Sequence, residues 1–275
     1  MEFIEIFKAI LFGIIEGITE WLPISSTGHL ILLDEFIQLN QSDNFKNMFN
    51  VVIQLGAIMA VVVIFWKKIF PFSFKEKPVI KKDIFTMWFK IIVACIPAAV
   101  IGFLFDDFFD EHFYKAIPVA IALIVVGILF IIVENRNKGS KTRVNSIAEI
   151  KYKDALLIGV FQLIAAIFPG TSRSGATIMG GLFIGISRSV ITEFTFFLAI
   201  PVMFGASLLK VVKFGFDFTG SEIASLVIAM VVAFVVSLFV IKFLMSYIKK
   251  HDFKVFGWYR IVLGILVIAY FAFVK

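Results

Sequence analysis

The sequence predicts an all-α polytopic membrane protein, an inverted repeat with six transmembrane helices and two re-entrant helix hairpins that meet near the midplane. Three observations predict it: the composition, a motif that occurs twice, and the charges of the loops. Of the 275 residues, 60% are hydrophobic and 17% are charged, with a mean hydropathy of +1.00. This apolar share exceeds that of soluble domains, so we predict a single membrane domain over residues 1–275.

Six apolar stretches are long enough to cross a bilayer, since a helix needs about 20 apolar residues to span a core of about 30 Å. They cover residues 48–66, 87–105, 117–133, 190–209, 223–247 and 255–274. The net charge of +6 could suggest nucleic acid, but the basic residues lie in short loops between apolar spans. We therefore predict no nucleic-acid partner.

A motif occurs twice in the chain. Residues 13–23 align without gaps on residues 159–169, and each copy ends in a proline followed by a hydroxyl-rich turn. We predict two repeats, residues about 1–140 and about 150–275. Each begins with a re-entrant hairpin, at residues 4–39 and 155–186, and continues with three spans.

Loop charges orient the repeats, because Lys and Arg accumulate in cytoplasmic loops. The loops at residues 67–83 and 136–153 are basic, whereas the loop at residues 106–111 is acidic. Three crossings then separate the two motifs, so the motifs enter the membrane from opposite faces. Each hairpin breaks at its proline and returns to the side from which it came, which leaves both termini outside.

Glu16 and Glu20 are four residues apart, so on a helix both carboxylates lie on one face. Ionised groups inside a membrane are costly, and two carboxylates there need a divalent cation, a positive partner or a shared proton. The plainer alternative is that Glu20 caps a helix near a polar interface. Both residues are candidate metal ligands.

The two turns resemble phosphate-binding helix N-termini. Pro23 ends one helix and the next begins near Gly28, where free amides and a partial positive charge favour an anion. The second turn adds Arg173, whose guanidinium matches phosphate oxygens. Small hydroxyl residues also commonly mediate helix packing. The candidate phosphate-binding residues of the turns are Ser25, Thr27, Ser172, Ser174 and Thr177.

His29 follows the serines at a spacing that lets its ring reach Ser26 or a bound phosphate, and imidazole is a natural proton shuttle. It could instead only bond backbone. Arg260, in the last span, either extends to the cytoplasmic edge or reaches the site as a substrate-binding residue. These residues are the parts of phosphoryl transfer, and their depth implies a lipid phosphate or diphosphate.

Three segments carry a resemblance to a known family: Glu16-Gly-Ile-Thr-Glu20, Pro23-Ile-Ser-Ser-Thr-Gly-His29 and Pro169-Gly-Thr-Ser-Arg-Ser-Gly-Ala-Thr177. Over nearly its whole length the chain resembles the undecaprenyl-diphosphate phosphatase family associated with bacitracin resistance. The resemblance implies hydrolysis of undecaprenyl diphosphate to undecaprenyl phosphate and inorganic phosphate, which recycles the lipid carrier of cell-wall synthesis.

It also implies a multi-pass protein of the bacterial plasma (inner) membrane, whose site opens to the outer face and uses Mg²⁺ or Ca²⁺. The expected partners are undecaprenyl diphosphate and membrane lipid, and a homodimer is left open. Arg173 is expected to bind the diphosphate. Glu20, assisted by Glu16, would hold the metal or act as base.

Ser26 is the expected nucleophile, with His29 accepting or relaying its proton; direct attack by water, with Ser26 only a ligand, is the alternative. The rival function is a transporter or flippase of a lipid phosphate, because inverted repeats with broken helices are transporter architecture. The carboxylates beside a serine favour hydrolysis.

Overall fold

The computed structural model describes residues 3–73, 79–113 and 115–273, with the backbone alone described at residues 103 and 106–113. Over this part of the chain the protein consists of α-helices, one short 3₁₀ turn and two isolated β-bridges. The predicted all-α class is confirmed. The helices are α1 Phe3–Thr19, α2 Ser26–Phe36, α3 Asp43–Val52, α4 Gln54–Ile69, α5 Lys82–Phe113, α6 Ala116–Asn137, α7 Tyr152–Ile167, α8 Arg173–Phe183, α9 Arg188–Phe214, α10 Gly220–Tyr247 and α11 Lys254–Phe273.

Six helical segments in the described chain are long and apolar enough to cross a membrane, which confirms the six predicted spans. The first is made of α3 and α4, which meet at Ile53. Residues 106–111 were predicted to form an acidic loop. This prediction is wrong in conformation, because α5 continues to Phe113. Hydropathy marks where a segment stops being apolar, whereas backbone hydrogen bonding continues beyond that point. Residues 74–78 of the predicted basic loop lie outside the described residues.

Two helix pairs occupy the places of the predicted hairpins. A helix of 17 residues precedes one of 11 in the first pair, α1 and α2, and 16 residues precede 11 in the second pair, α7 and α8. Eleven residues rise about 16 Å, which is half of the roughly 30 Å hydrocarbon core. Neither α2 nor α8 can therefore cross a membrane alone, as a re-entrant hairpin requires.

The two halves pack into each other reciprocally. Helix α1 packs on α10 of the second half, α7 packs on α5 of the first half, and α6 packs on α11. Glycine permits the close approach in both exchanged contacts, since a side chain at Gly13 would meet the backbone of Ala229 and one at Gly159 would meet the backbone of Ala94. Small residues serve helix packing in membranes in this way. These contacts join helices of the two predicted repeats, and the inverted repeat, its re-entrant hairpins and its boundaries stay predictions.

Candidate active site

The residues that directly precede α2 and α8 have the same unusual backbone conformation. Ser25 has φ 75° and Ser172 has φ 72°, and they are the only non-glycine residues with positive φ in the described chain. Each side chain caps the helix that follows, accepting from the backbone nitrogen of Gly28 at 3.2 Å and of Gly175 at 3.1 Å. Such a conformation costs about 1–3 kcal/mol and persists where surroundings impose it, often at functional sites.

The N-termini of α2 and α8 face one cavity of about 180 Å³, which we call the central cavity. The predicted residues on its walls are Glu20, Ser25, Ser26, Thr27, Ser172 and Arg173. The first amides of a helix have no partner within the helix, and its N-terminus carries a partial positive charge. The structure thus brings the two turns together around a space that suits an anion.

Glu20 joins the two turns through its carboxylate. Its Oε2 accepts from the Ser26 hydroxyl at 2.6 Å, and its Oε1 accepts from Arg173 Nη2 at 2.8 Å. Arg173 also donates from Nη1 to the Thr195 carbonyl at 2.8 Å, while its Nε is buried without a partner. A hydroxyl, a carboxylate and a guanidinium from both halves therefore form one connected group.

Glu16 is fully buried, and neither of its carboxylate oxygens has a hydrogen-bond partner. It lies one helical turn before Glu20, whose backbone nitrogen donates to the Glu16 carbonyl at 3.0 Å, and it is not on the walls of the central cavity. No group of three or more His, Cys, Asp or Glu side chains that could hold a metal ion occurs among the described residues. Two carboxylates completed by substrate phosphates and water are nevertheless a usual arrangement for Mg²⁺, so the unpartnered oxygens of Glu16 fit a divalent cation.

His29 forms no hydrogen bond to Ser26, and its ring bonds the backbone, as the alternative reading of this residue expected. Its Nδ1 lies 2.7 Å from the Ser25 carbonyl oxygen and its Nε2 lies 2.7 Å from the Tyr259 hydroxyl. The His29 and Tyr259 rings are parallel, 5.7 Å apart. Because the cap turns the Ser26 hydroxyl toward Glu20, the carboxylate is the proton acceptor in contact, and the ring is held one helical turn away.

Arg260 is fully buried, which rules out the expected alternative that it extends to the cytoplasmic edge. Its guanidinium donates to the carbonyls of Pro23 at 3.1 Å, Gly170 at 2.7 Å and Thr171 at 2.9 Å. A further donor points to the Leu123 carbonyl at 3.5 Å. Arg260 therefore ties the two turns together, and these contacts favour a positioning role over the predicted contact with substrate.

Ser174 and Thr177 hydrogen-bond to residues near the central cavity without lining it. Ser174 donates to the Glu20 carbonyl at 3.2 Å. The Thr177 hydroxyl lies 2.9 Å from the Arg173 carbonyl within α8 and accepts from Thr195 at 2.9 Å. Neither residue is on the walls of the central cavity, so the described contacts do not support their predicted role as phosphate ligands.

Two glutamines on the cavity walls, Gln54 and Gln162, were not among the predicted site residues. Gln162 is 2% exposed, and both polar atoms of its side chain lack a partner. An unpartnered buried amide costs about 1–3 kcal/mol. Its place was recognisable, because Gln162 occupies in the second motif the position that Glu16 occupies in the first.

Comparison with known proteins gives consistent matches over the whole chain. The family model described as "Bacitracin resistance protein BacA" matches residues 9–266. The undecaprenyl-diphosphatase of Desulfitobacterium hafniense is 65% identical over 272 residues, which is 99% of this chain and 98% of that protein. An undecaprenyl-diphosphatase of Enterococcus faecalis is 65% identical over 270 residues, 98% of each chain. Undecaprenyl-diphosphatase 1 of Clostridium acetobutylicum is 62% identical over 274 residues and the full length of both.

Proposed function

The chain belongs to the bacitracin resistance protein BacA family, and we propose that it hydrolyses undecaprenyl diphosphate to undecaprenyl phosphate and inorganic phosphate. It is a membrane enzyme that recycles the lipid carrier of cell-wall synthesis and so confers bacitracin resistance. The observation that carries the proposal is the Ser26 hydroxyl on the Glu20 carboxylate, which is itself paired with Arg173. A carrier of lipid phosphates has no need of a hydroxyl activated by a carboxylate.

Substrate binding is the first step that the site supports. The diphosphate enters the central cavity, where the amides that begin α2 and α8 point toward it and their partial positive charges favour it. Arg173 offers its unpartnered Nε to the phosphate oxygens. A donor already in place when charge builds up on the phosphoryl group stabilises the transition state more than the ground state.

The chemical step uses Ser26 as nucleophile. Its Oγ attacks the terminal phosphorus while Glu20 takes the hydroxyl proton, and undecaprenyl phosphate leaves with the electron pair of the broken P–O bond. Glu20 gives this proton to the departing undecaprenyl phosphate. Water then attacks the phosphoserine and gives a proton to Glu20, which passes it to the Ser26 Oγ as the P–Oγ bond breaks and inorganic phosphate is released. Binding of the diphosphate to Arg173 competes with the Arg173–Glu20 pair, which leaves the carboxylate freer to accept a proton.

A divalent cation, Mg²⁺ or Ca²⁺, is part of the proposal. Glu16 and Glu20 would hold it, and its charge would neutralise the phosphoryl oxygens. The support is the pair of carboxylate oxygens on Glu16 that are buried without any partner.

We also propose that the protein lies in the bacterial inner membrane with the site open to the outer face. The α9 residues on the cavity wall, Val202, Met203 and Ala206, lie in the half of α9 remote from Arg188. By the loop charges, the Arg188 end is the cytoplasmic one. The cavity therefore lies toward the opposite face.

Phosphate release from a prenyl diphosphate by the purified protein in detergent tests the function. We expect release that stops with a chelator and returns with Mg²⁺ or Ca²⁺, and a loss of roughly 10²- to 10⁴-fold in Glu20→Ala and Arg173→Ala. Glu149→Ala and Arg136→Ala remove the same charges from exposed positions and should leave turnover unchanged. The proposal would be overturned if wild type released no phosphate, or if Glu20→Ala and Arg173→Ala each released phosphate as fast as wild type.

A further inference from the structure

Gln162 is a buried polar side chain that forms no side-chain hydrogen bond within the described part of the protein. It lies on α7, is 2% exposed, and neither its carbonyl oxygen nor its amide nitrogen has a hydrogen-bond partner. Most buried polar side-chain atoms in proteins have a partner, so each exception calls for an explanation. Its position on the wall of the central cavity provides one, because this cavity is the proposed binding site of the substrate.

The wall around Gln162 offers it no partner. The polar side chains on the cavity wall, which include Glu20, Gln54 and Arg173, form no hydrogen bond to Gln162, and Ala98, Ala165, Ala166 and Met203 are apolar. An occupant of the cavity that carries hydrogen-bond acceptors would satisfy the amide. Leucine would fill the same volume without an unsatisfied group, so the fold alone gives no reason for glutamine here.

The repeat suggests which occupant the amide serves. Gln162 and Glu16 each precede the proline of their turn by seven residues, and both are buried without partners. The two positions differ in chemistry, since a carboxylate only accepts hydrogen bonds whereas an amide nitrogen donates two. A carboxylate suits a cation, and an uncharged donor suits an anion without forming an ion pair with Glu20.

We propose that Gln162 is a substrate-binding residue whose side-chain amide donates to a non-bridging oxygen of the diphosphate. The inference rests on the proposed function for the identity of the anion. It gives the diphosphate a contact from α7, in addition to those from the N-termini of α2 and α8. An amide hydrogen-bond donor favours a diphosphate over a neutral lipid head group. It acts neither as an acid nor as a nucleophile, so Gln162 affects binding, and the chemical step is left to Ser26 and Glu20.

The test compares Gln162→Leu and Gln162→Glu with wild type, and uses Gln38→Leu, an exposed glutamine outside the site, as the matched control. Binding of inorganic pyrophosphate is measured by calorimetry with and without Mg²⁺, because pyrophosphate carries the diphosphate without the lipid. Thermal stability is measured with the enzyme empty and with pyrophosphate. KM and kcat are measured with a prenyl diphosphate.

We expect Gln162→Leu to weaken pyrophosphate binding and raise KM roughly 10- to 100-fold with kcat changed only a few-fold, as loss of a hydrogen bond to a charged group predicts. The empty Gln162→Leu enzyme should melt at or above the wild-type temperature, because an unpartnered amide has been removed. Gln162→Glu should bind the anion more weakly still. If Gln162→Leu does not fold, Gln162→Met, which keeps the unbranched side chain, gives the same comparison.

Unchanged pyrophosphate affinity in the folded Leu or Met variant would overturn the inference. So would a Gln162→Glu enzyme that keeps its anion affinity and binds Mg²⁺ more tightly, since Gln162 would then be a cation ligand. The two proposals fail separately. Wild type that binds pyrophosphate through Gln162 but releases no phosphate refutes only the function, and normal hydrolysis with variants that bind like wild type refutes only the inference.

Discussion

Ser26 is the first residue of α2, directly after a cap with a left-handed backbone. That backbone turns the chain so that the Ser25 side chain closes the helix and the Ser26 hydroxyl points back to Glu20 at 2.6 Å. Arg173 stands in the same place in the second turn, directly after Ser172. The same backbone conformation thus positions the proposed nucleophile in one half and the proposed phosphate-binding guanidinium in the other.

Ser26→Ala should reduce turnover by about 10²-fold or more, because the proposed nucleophile is removed while the phosphate-binding groups remain. Binding of inorganic pyrophosphate should change little. Ser140→Ala, at an exposed position outside the central cavity, serves as the control for loss of a serine hydroxyl. A Ser26→Ala enzyme with near wild-type turnover would show that water attacks directly.

Arg260→Met should lower the free energy of unfolding by about 3 kcal/mol or more, because carbonyls of both turns lose their buried donor. Arg260→Lys should restore part of the stability, since an ammonium keeps the charge but cannot reach all the carbonyls. Thermal melting in detergent, together with KM and kcat, checks this. An Arg260→Met enzyme that has wild-type stability and differs only in a raised KM would instead support the predicted contact of Arg260 with substrate.

At the scale of elements, the site depends on how closely the helices approach. Helix α7 carries Gln162 and the chain leading to Arg173, and its position is set by the contact of Gly159 with the backbone of Ala94 on α5. Trp21, fully buried, packs edge-on against Phe196 of α9 at 5.1 Å and so anchors the chain between α1 and α2. The second turn is therefore positioned by the packing of α7 on α5, and the first turn by the packing of Trp21 on Phe196.

Gly159→Ala should destabilise the protein by about 1–3 kcal/mol, since the added methyl group meets backbone that cannot move aside. Gly102→Ala is the matched control, because a side chain there meets nothing within 4 Å. Within a helix, alanine is favoured over glycine by roughly 0.5–1 kcal/mol, so this control should be neutral or slightly stabilising. Equal melting temperatures for the two variants would contradict the close contact of α5 and α7.

At the scale of the whole molecule, the active site belongs to neither half alone. Glu20 and Ser26 come from the first half and Arg173 from the second, and Arg260 of the last helix bonds carbonyls of both turns. The exchanged packing of α1 on α10 and α7 on α5 holds the two turns against each other. A site of this kind forms only when the entire chain has folded.

Cysteine labelling tests the orientation. In a Cys95→Ala background, which removes the only cysteine, Lys115→Cys should react with a membrane-impermeant maleimide added to intact cells. Lys141→Cys, also at an exposed position, should react only after the membrane is opened, because the basic charge of its loop predicts a cytoplasmic location. The reverse pattern would invert the topology and move the cavity opening to the cytoplasm.

Much of the site was predictable because its residues are polar where the sequence is otherwise apolar. Glu16, Glu20 and Arg173 are recognisable on that ground alone, since burial of charge is costly in any fold. The partners of these residues were not predictable. Ser26 was expected to bond His29 and instead bonds Glu20, and Gln162 was passed over because a neutral amide gives a weaker signal than a charge.

The sequence by itself determined the class of the protein, its six spans, the two breaks and the residues at those breaks. Each of these depends on how a local segment partitions between lipid and water, and that preference is carried by the segment's own side chains. Only the tertiary structure decided that Glu20 pairs with Ser26 and Arg173, that Arg260 ties the two turns, and that Gln162 faces the cavity. Those contacts join segments far apart in the chain, and their geometry is set by helix packing, which local composition does not specify.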